Sequence, residues 1–278
     1  MTADEAAPGS RASADELAGK VALITGASRG IGKGIALELA AAGCDVVLAA
    51  RDAAALAQTA REIERLGRKA AVHAADLTAG GEPARLIDTA TRAFGRIDIL
   101  VNNAGGAKRG NFFTLSEEEW NEGFDMKFFA HVWLCRLAWP ELKRAQGSIV
   151  FISGIGARAP VADYMIGASV IGASLAFMKA LADLGKRDGV QVNTVNPGSV
   201  TTDRFRHRLA TIMRKTGLDE AAAIERHRGE LDITRFGTPA DIAGLVRFIV
   251  SPRGGLLHGA AIDMDGGQAV PLRMSAYD

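Results

Sequence analysis

Cysteine is nearly missing from this sequence: two in 278 residues, Cys44 and Cys135, with no CxxC spacing. That argues against a disulfide framework or a zinc cluster, and leaves buried free thiols in a reducing cytosol as the expectation. Charge of one sign is missing too, since 33 Lys and Arg stand against 32 Asp and Glu, for a net charge of +1. There is no overall basic field to attract nucleic acid and no acidic tail. No run of about 18 or more apolar residues occurs. The opening MTADEAAPGSRASADELAGK also lacks the apolar centre of a secretory leader. The five histidines fall in no HxH or HExxH pattern, so no metal is expected. These gaps together predict a cytoplasmic protein with neither a membrane nor a nucleic-acid partner, residues 1–17 forming a flexible tail.

What remains is ample for a core: 48% of the residues are hydrophobic. From Lys20 onward, short β-branched runs alternate with longer alanine- and leucine-rich helical patterns, the signature of βαβ units around a parallel sheet. Strands are predicted at 21–25, 45–49, 70–74, 98–101, 148–152, 190–195 and 261–264. Helices are predicted at 30–43, 53–66, 82–94, 117–145, 164–187 and 239–251. No Pro/Ser-rich linker divides the chain, so the reading is one α/β domain over 18–278, a Rossmann-like doubly wound parallel sheet of seven strands. Residues 203–238 break the rhythm with a long charged insertion of helical propensity, placed where substrate lids commonly form.

The first strand runs directly into TGASRGIG, with glycines at Gly26, Gly30 and Gly32 ahead of a helical pattern. Glycine allows the tight turn, and the amides at a helix N-terminus together with its dipole favour a pyrophosphate. The second strand ends in Ala49-Ala50-Arg51. An acid there would hold a ribose 2′-hydroxyl. Alanine followed by arginine leaves room and positive charge for a 2′-phosphate, with Arg29 as a second cation. NADP(H) is thus favoured, with NAD(H) as the alternative.

Further motifs follow in order: Asp76-Leu77 after the third strand, NNAG at 102–105, NPGSVTT at 196–202, FGTPADIA, and DGG at 265–267. With the glycine loop, this string over about 18–268 resembles the short-chain dehydrogenase/reductase family. The resemblance implies hydride transfer between a nicotinamide cofactor and a ketone or secondary alcohol, in a homodimer or homotetramer joined through the two long helices. It also implies cofactor binding by Gly26, Ser28, Arg29, Gly30, Ile31, Gly32, Arg51, Asp76, Leu77, Asn103, Ala104, Gly105, Pro197, Gly198, Val200 and Thr202.

The family's Asn–Ser–Tyr–Lys tetrad is not intact. Its YxxxK motif reads Tyr164-Met-Ile-Gly-Ala168, so the lysine that lowers the tyrosine pKa is missing. Bringing a phenol from about 10 to near 7 takes roughly 4 kcal/mol of differential stabilisation. The slot that typically reads Asp-X-Asn reads Asp125-Met126-Lys127, which places a lysine where the asparagine stands and on the opposite helix. The expectation is a relocated amine, with Lys127 filling the volume that Ala168 vacates; a surface or interface lysine is the competing reading. Aligned on its strand, the serine position falls at Gly154 with Ser153 beside it, so Ser153 is either the displaced catalytic hydroxyl or an ordinary strand end.

Tyr164, Lys127 and Ser153 are therefore the candidate catalytic set, in an NAD(P)-dependent oxidoreductase. A cofactor-binding but catalytically silent sensor or scaffold is the alternative. In the lid, Arg204, Arg206, His207, Arg208, Arg214, Lys215, Arg226, His227 and Arg228 either meet an anionic substrate or are solvated and balanced by Asp219, Glu220, Glu225 and Glu230.

Overall fold

Val21–Thr25 (β1) is buried at every position, as a parallel strand covered on both faces must be. Around it lie Asp45–Ala50 (β2), Ala70–Ala74 (β3), Ile99–Asn102 (β4), Ser148–Ile152 (β5), Gln191–Pro197 (β6) and Ala261–Met264 (β7). In the computed structural model, which describes residues 15–269, they form one all-parallel sheet of order β3-β2-β1-β4-β5-β6-β7. The strand order reverses at β1, between β2 and β4. In open α/β sheets, ligands bind in the crevice above such a switch point.

The helices are Gly30–Ala41 (α1), Ala53–Arg65 (α2), Glu82–Phe94 (α3), Glu117–Phe124 (α4), Ala130–Ala145 (α5), Met165–Asp188 (α6), Asp203–Thr216 (α7), Glu220–Leu231 (α8) and Pro239–Val250 (α9). Alternate strand residues feed two apolar layers. Ala22 and Ile24 join Ile35, Leu39, Leu56, Ile242 and Val246 on one face. Val21 and Leu23 join Leu86, Leu134, Leu142, Met178 and Val192 on the other. Both cysteines are buried and free, and burial pushes their thiols up to about 12.

Several details differ from the sequence expectations or refine them. Residues 15–17 are docked rather than part of a tail: Leu17 is buried with its amide on Ala42 O at 2.8 Å, and Glu16 accepts from Arg247 at 2.6 Å. Residues 1–14 of the expected tail lie outside the described residues. The fourth strand starts after Asp98, whose carboxylate accepts from Val21 N at 2.9 Å and is held by Arg96. The helix expected over 117–145 contains a π-helical segment, Asp125–Phe129, between α4 and α5. The insertion is a helical hairpin, α7 and α8, that returns beside Val200 through a bridge to Gly237. By length and composition α6 is apolar enough to cross a bilayer, but here it lies on the sheet as a core helix.

Candidate active site

The glycine loop fits a phosphate-bearing cofactor by its own geometry. Gly26 and Gly30 hold φ of +67° and +56°, and a methyl group on Gly32 would fall 2.2 Å from Gly26 O. Only glycine leaves the backbone this open. At the start of α1 the flanking residue, Arg29, makes no side-chain cap, and the first turn carries no acid. The helix amides and the positive end of its dipole are therefore unclaimed, which is what an anion requires. Thr25 braces the loop from β1: its hydroxyl accepts from Asn103 N and Ala104 N, both at 2.9 Å. Asn103 Nδ2 donates to Thr25 O at 2.9 Å, so this side chain sits under the loop as a strut. Thr202 closes the far lip, its Cγ2 lying 3.3 Å from where a Gly30 methyl would be.

At the other end of the cradle, Arg51 lies 3.8 Å from Asp76 and is mostly exposed. Asp76 takes the Thr78 amide at 3.0 Å and hydroxyl at 2.8 Å, and the amide bond is the main reason its carboxyl sits below the usual range. Leu77 is buried beside it, and Ile31 packs against the core under the loop. Ser28 and Gly105 are half-buried, and Arg29 is exposed. Pro197 ends β6. Gly198 passes so close to Asp265 that a methyl group there would meet its Cα at 2.7 Å.

Lys127 occupies the π-helical segment and is its one buried residue, at 8% exposure. The extra residue of a π turn rotates this side chain away from the regular helix face, and such bulges are common at functional sites. The stem packs on Gly105, where a methyl would meet Lys127 Cγ at 3.0 Å. The ammonium donates to Ser153 O at 2.9 Å. Among the described residues it has no carboxylate partner, and two of its three N–H groups have no partner at all. Burial, then the nearby Arg204 charge, brings its pKa down to about 8. His131, one turn on, donates Nε2–H to Ala104 O at 2.8 Å. Burial and Lys127 bring that imidazole down to about 4, so it stays neutral at physiological pH.

Tyr164 ends a short 3₁₀ turn, Ala162–Tyr164, just ahead of α6. Its ring lies on two glycines: a methyl on Gly167 would be 2.0 Å from Cζ, and one on Gly156 would be 3.2 Å from Cε1. Above the ring sits the Arg109 guanidinium, 4.3 Å from its centroid and held by Asp163 at 2.9 Å. The sequence reading put Lys127 beside the phenol. In the structure the Lys127 ammonium donates to Ser153 O, and Arg109 stacks on the tyrosine ring. Sequence reasoning missed Arg109 because only the folded loop brings it there, and the isolated KRG triplet signals nothing but charge. Ser153 Oγ is buried without a hydrogen-bond partner. Gly154 turns at φ +152°, with space for a methyl only against Ile171.

With this geometry in place, comparison with known proteins defines the class. The short chain dehydrogenase family model matches residues 20–212. The short-chain dehydrogenase/reductase FrzI of a Cladobotryum species is 36% identical over 254 residues, covering 89% of this chain and 95% of that protein. L-sorbose reductase from Gluconobacter frateurii, solved with NADPH and L-sorbose, superposes with a TM-score of 0.89 at 30% identity, over 94% of this chain and all of that one. A short chain dehydrogenase from Burkholderia cenocepacia in complex with NADP gives 0.82 at 32% identity, over 91% and 99%. The chain belongs to the short-chain dehydrogenase/reductase family and is an oxidoreductase of that family.

Proposed function

We propose that this chain interconverts a ketone and a secondary alcohol with NADP(H), the Tyr164 hydroxyl moving the proton to or from the substrate oxygen. The observation that carries the reading is Lys127. A buried ammonium without a carboxylate costs several kcal/mol, and its cost is explained if its two unmatched N–H groups serve the reaction. When bound, the nicotinamide supplies the hydride. The residues of this chain do the rest. The phosphates rest on the Gly26–Gly32 loop, with Arg51 and Arg29 toward a 2′-phosphate and Asp76 toward the adenine. Pro197, Gly198, Val200 and Thr202 line the nicotinamide end. The two similar structures with NADPH and NADP accord with the cation pair.

As the phenol gives up its proton, the Arg109 guanidinium already lies over the ring that takes the negative charge. Lys127 holds positive charge at the floor of the site and is a station for returning the proton to Tyr164. The unmatched Ser153 Oγ is a hydrogen-bonding group for the substrate oxygen. Exposed Phe129 at the end of the π-helical segment and Trp133 and Leu137 on α5, with Leu184 on α6, support assembly of two or four copies through these helices. The test is NADPH consumption against a panel of ketones, with Tyr164→Phe as the control. Turnover that falls by about a hundredfold or more in the variant supports the reading. Tight NADPH binding with no turnover of any ketone would favour a silent sensor.

A further inference from the structure

Most lid arginines are neutralised on the surface. Arg206 pairs with Asp203 at 2.6 Å, Arg226 with Glu230 at 2.8 Å, Arg228 with Glu225 at 2.6 Å and Arg235 with Asp241 at 2.7 Å. Three do not follow this pattern. Arg214 has only a 3.5 Å contact to Thr211 Oγ1. Arg204 and Arg208, one turn apart on α7, have no hydrogen bond or ion pair among the described residues. Both face the site. Arg204 Nη2 lies 3.3 Å from a methyl placed on Gly106 and is close enough to depress Lys127. Arg208 is held below its usual range by burial and then by Arg109, the residue stacked on Tyr164.

Like charges gathered in one cleft repel; among the described residues only Asp163 and Glu230 offset Arg208, and neither forms an ion pair with it. The acids nearest Arg208, Asp163 and Glu230, are engaged by Arg109 and Arg226. Beside Arg208, His227 is 4% exposed and packs against the Phe205–Phe236 ring pair, with neither ring nitrogen hydrogen-bonded among the described residues; Glu230 is 3.9 Å away. Burial and then Arg208 lower its pKa, which keeps it neutral. Buried polar atoms left unmatched weaken a fold, so this is an unfilled polar position beside the same cluster.

We propose that the lid selects a substrate bearing a carboxylate, which Arg204 and Arg208 grip from α7 with Arg109 across the cleft, while Tyr164 serves the carbonyl or hydroxyl of the same molecule. The planar guanidinium fork matches a carboxylate in two-point contact. The inference rests on the reading of Tyr164 as the proton donor.

The test uses matched probes: acetoacetate and levulinate, each against its methyl ester, with NADPH. For at least one pair, kcat/KM for the acid exceeds that for the ester by about tenfold or more. Arg208→Gln and Arg204→Gln lower this acid-to-ester ratio by about tenfold each, and Arg208→Lys restores part of it. A ratio near one in the native protein for both pairs, or a ratio that neither glutamine variant moves, overturns the inference. Failure of the underlying reading looks different: Tyr164→Phe would then turn over acid and ester as fast as the native protein. If no probe is consumed, calorimetry of the same acids and esters on the NADP⁺-loaded protein decides. Tighter binding of the acid that Arg208→Gln abolishes supports the inference, and equal or absent binding overturns it.

Discussion

The Lys127 ammonium donates to the main-chain oxygen of Ser153 at 2.9 Å, and no carboxylate among the described residues accompanies it. A charge placed this way weakens the fold and must be retained for another reason. With its pKa lowered from 10.5 to about 8, the unfolded chain binds a proton more readily than the native one between those two values. Stability therefore rises with pH across that window. Compared with Lys127→Met, the native protein should gain about 3 kcal/mol of unfolding free energy between pH 7 and 10.5. Urea melts of both proteins at the two pH values read this directly. A difference that stays flat contradicts the buried ammonium.

The cation on the Tyr164 face is open to solvent, so its effect is modest. Arg109→Gln should lower kcat by about two- to fivefold, matching 0.5–1 kcal/mol for an exposed cation–π pair, and Arg109→Lys should recover part of the loss.

Gly167→Ala puts a methyl group into the space of the Tyr164 ring, 2.0 Å from Cζ. The ring must leave its position. We expect kcat to fall by about a hundredfold while NADPH affinity changes by less than about threefold, since the nearest atoms to the new methyl all belong to the Tyr164 ring. Fluorescence titration with NADPH alongside turnover separates the two effects.

Arg51→Asp removes a cation and supplies the acid that suits an unphosphorylated ribose. The ratio of kcat/KM for NADPH to that for NADH should fall by about tenfold or more. An unchanged ratio would move the 2′-phosphate away from Arg51.

Much of this was legible before folding. β1, β3, β5 and β7 fall where the β-branched runs end, and the glycine trio lies at the switch point because its motif opens the first βα unit. The π-helical segment was hidden, since 117–145 carries no residue that marks an i→i+5 turn and the shift is fixed by how Lys127 packs on Gly105. The Arg109–Tyr164 stack was hidden because it joins a loop to a helix start far away in sequence. Asn103 read as a cofactor contact, and its role as a strut appears only once Thr25 is beside it. Within the lid, charge alone did not separate Arg204 and Arg208 from their paired neighbours; which acids were already engaged did.

The central claim is that the Lys127 charge serves proton movement at Tyr164, and the pH–rate profile of Lys127→Met against the native protein tests it most directly. Methionine preserves most of the stem and removes the ammonium. The native kcat for ketone reduction should decline as pH passes about 8, where the ammonium loses its proton. In the variant, kcat at pH 7 should be about tenfold lower or worse, with the decline displaced to higher pH. A variant with near-native kcat and an unshifted profile would contradict the account.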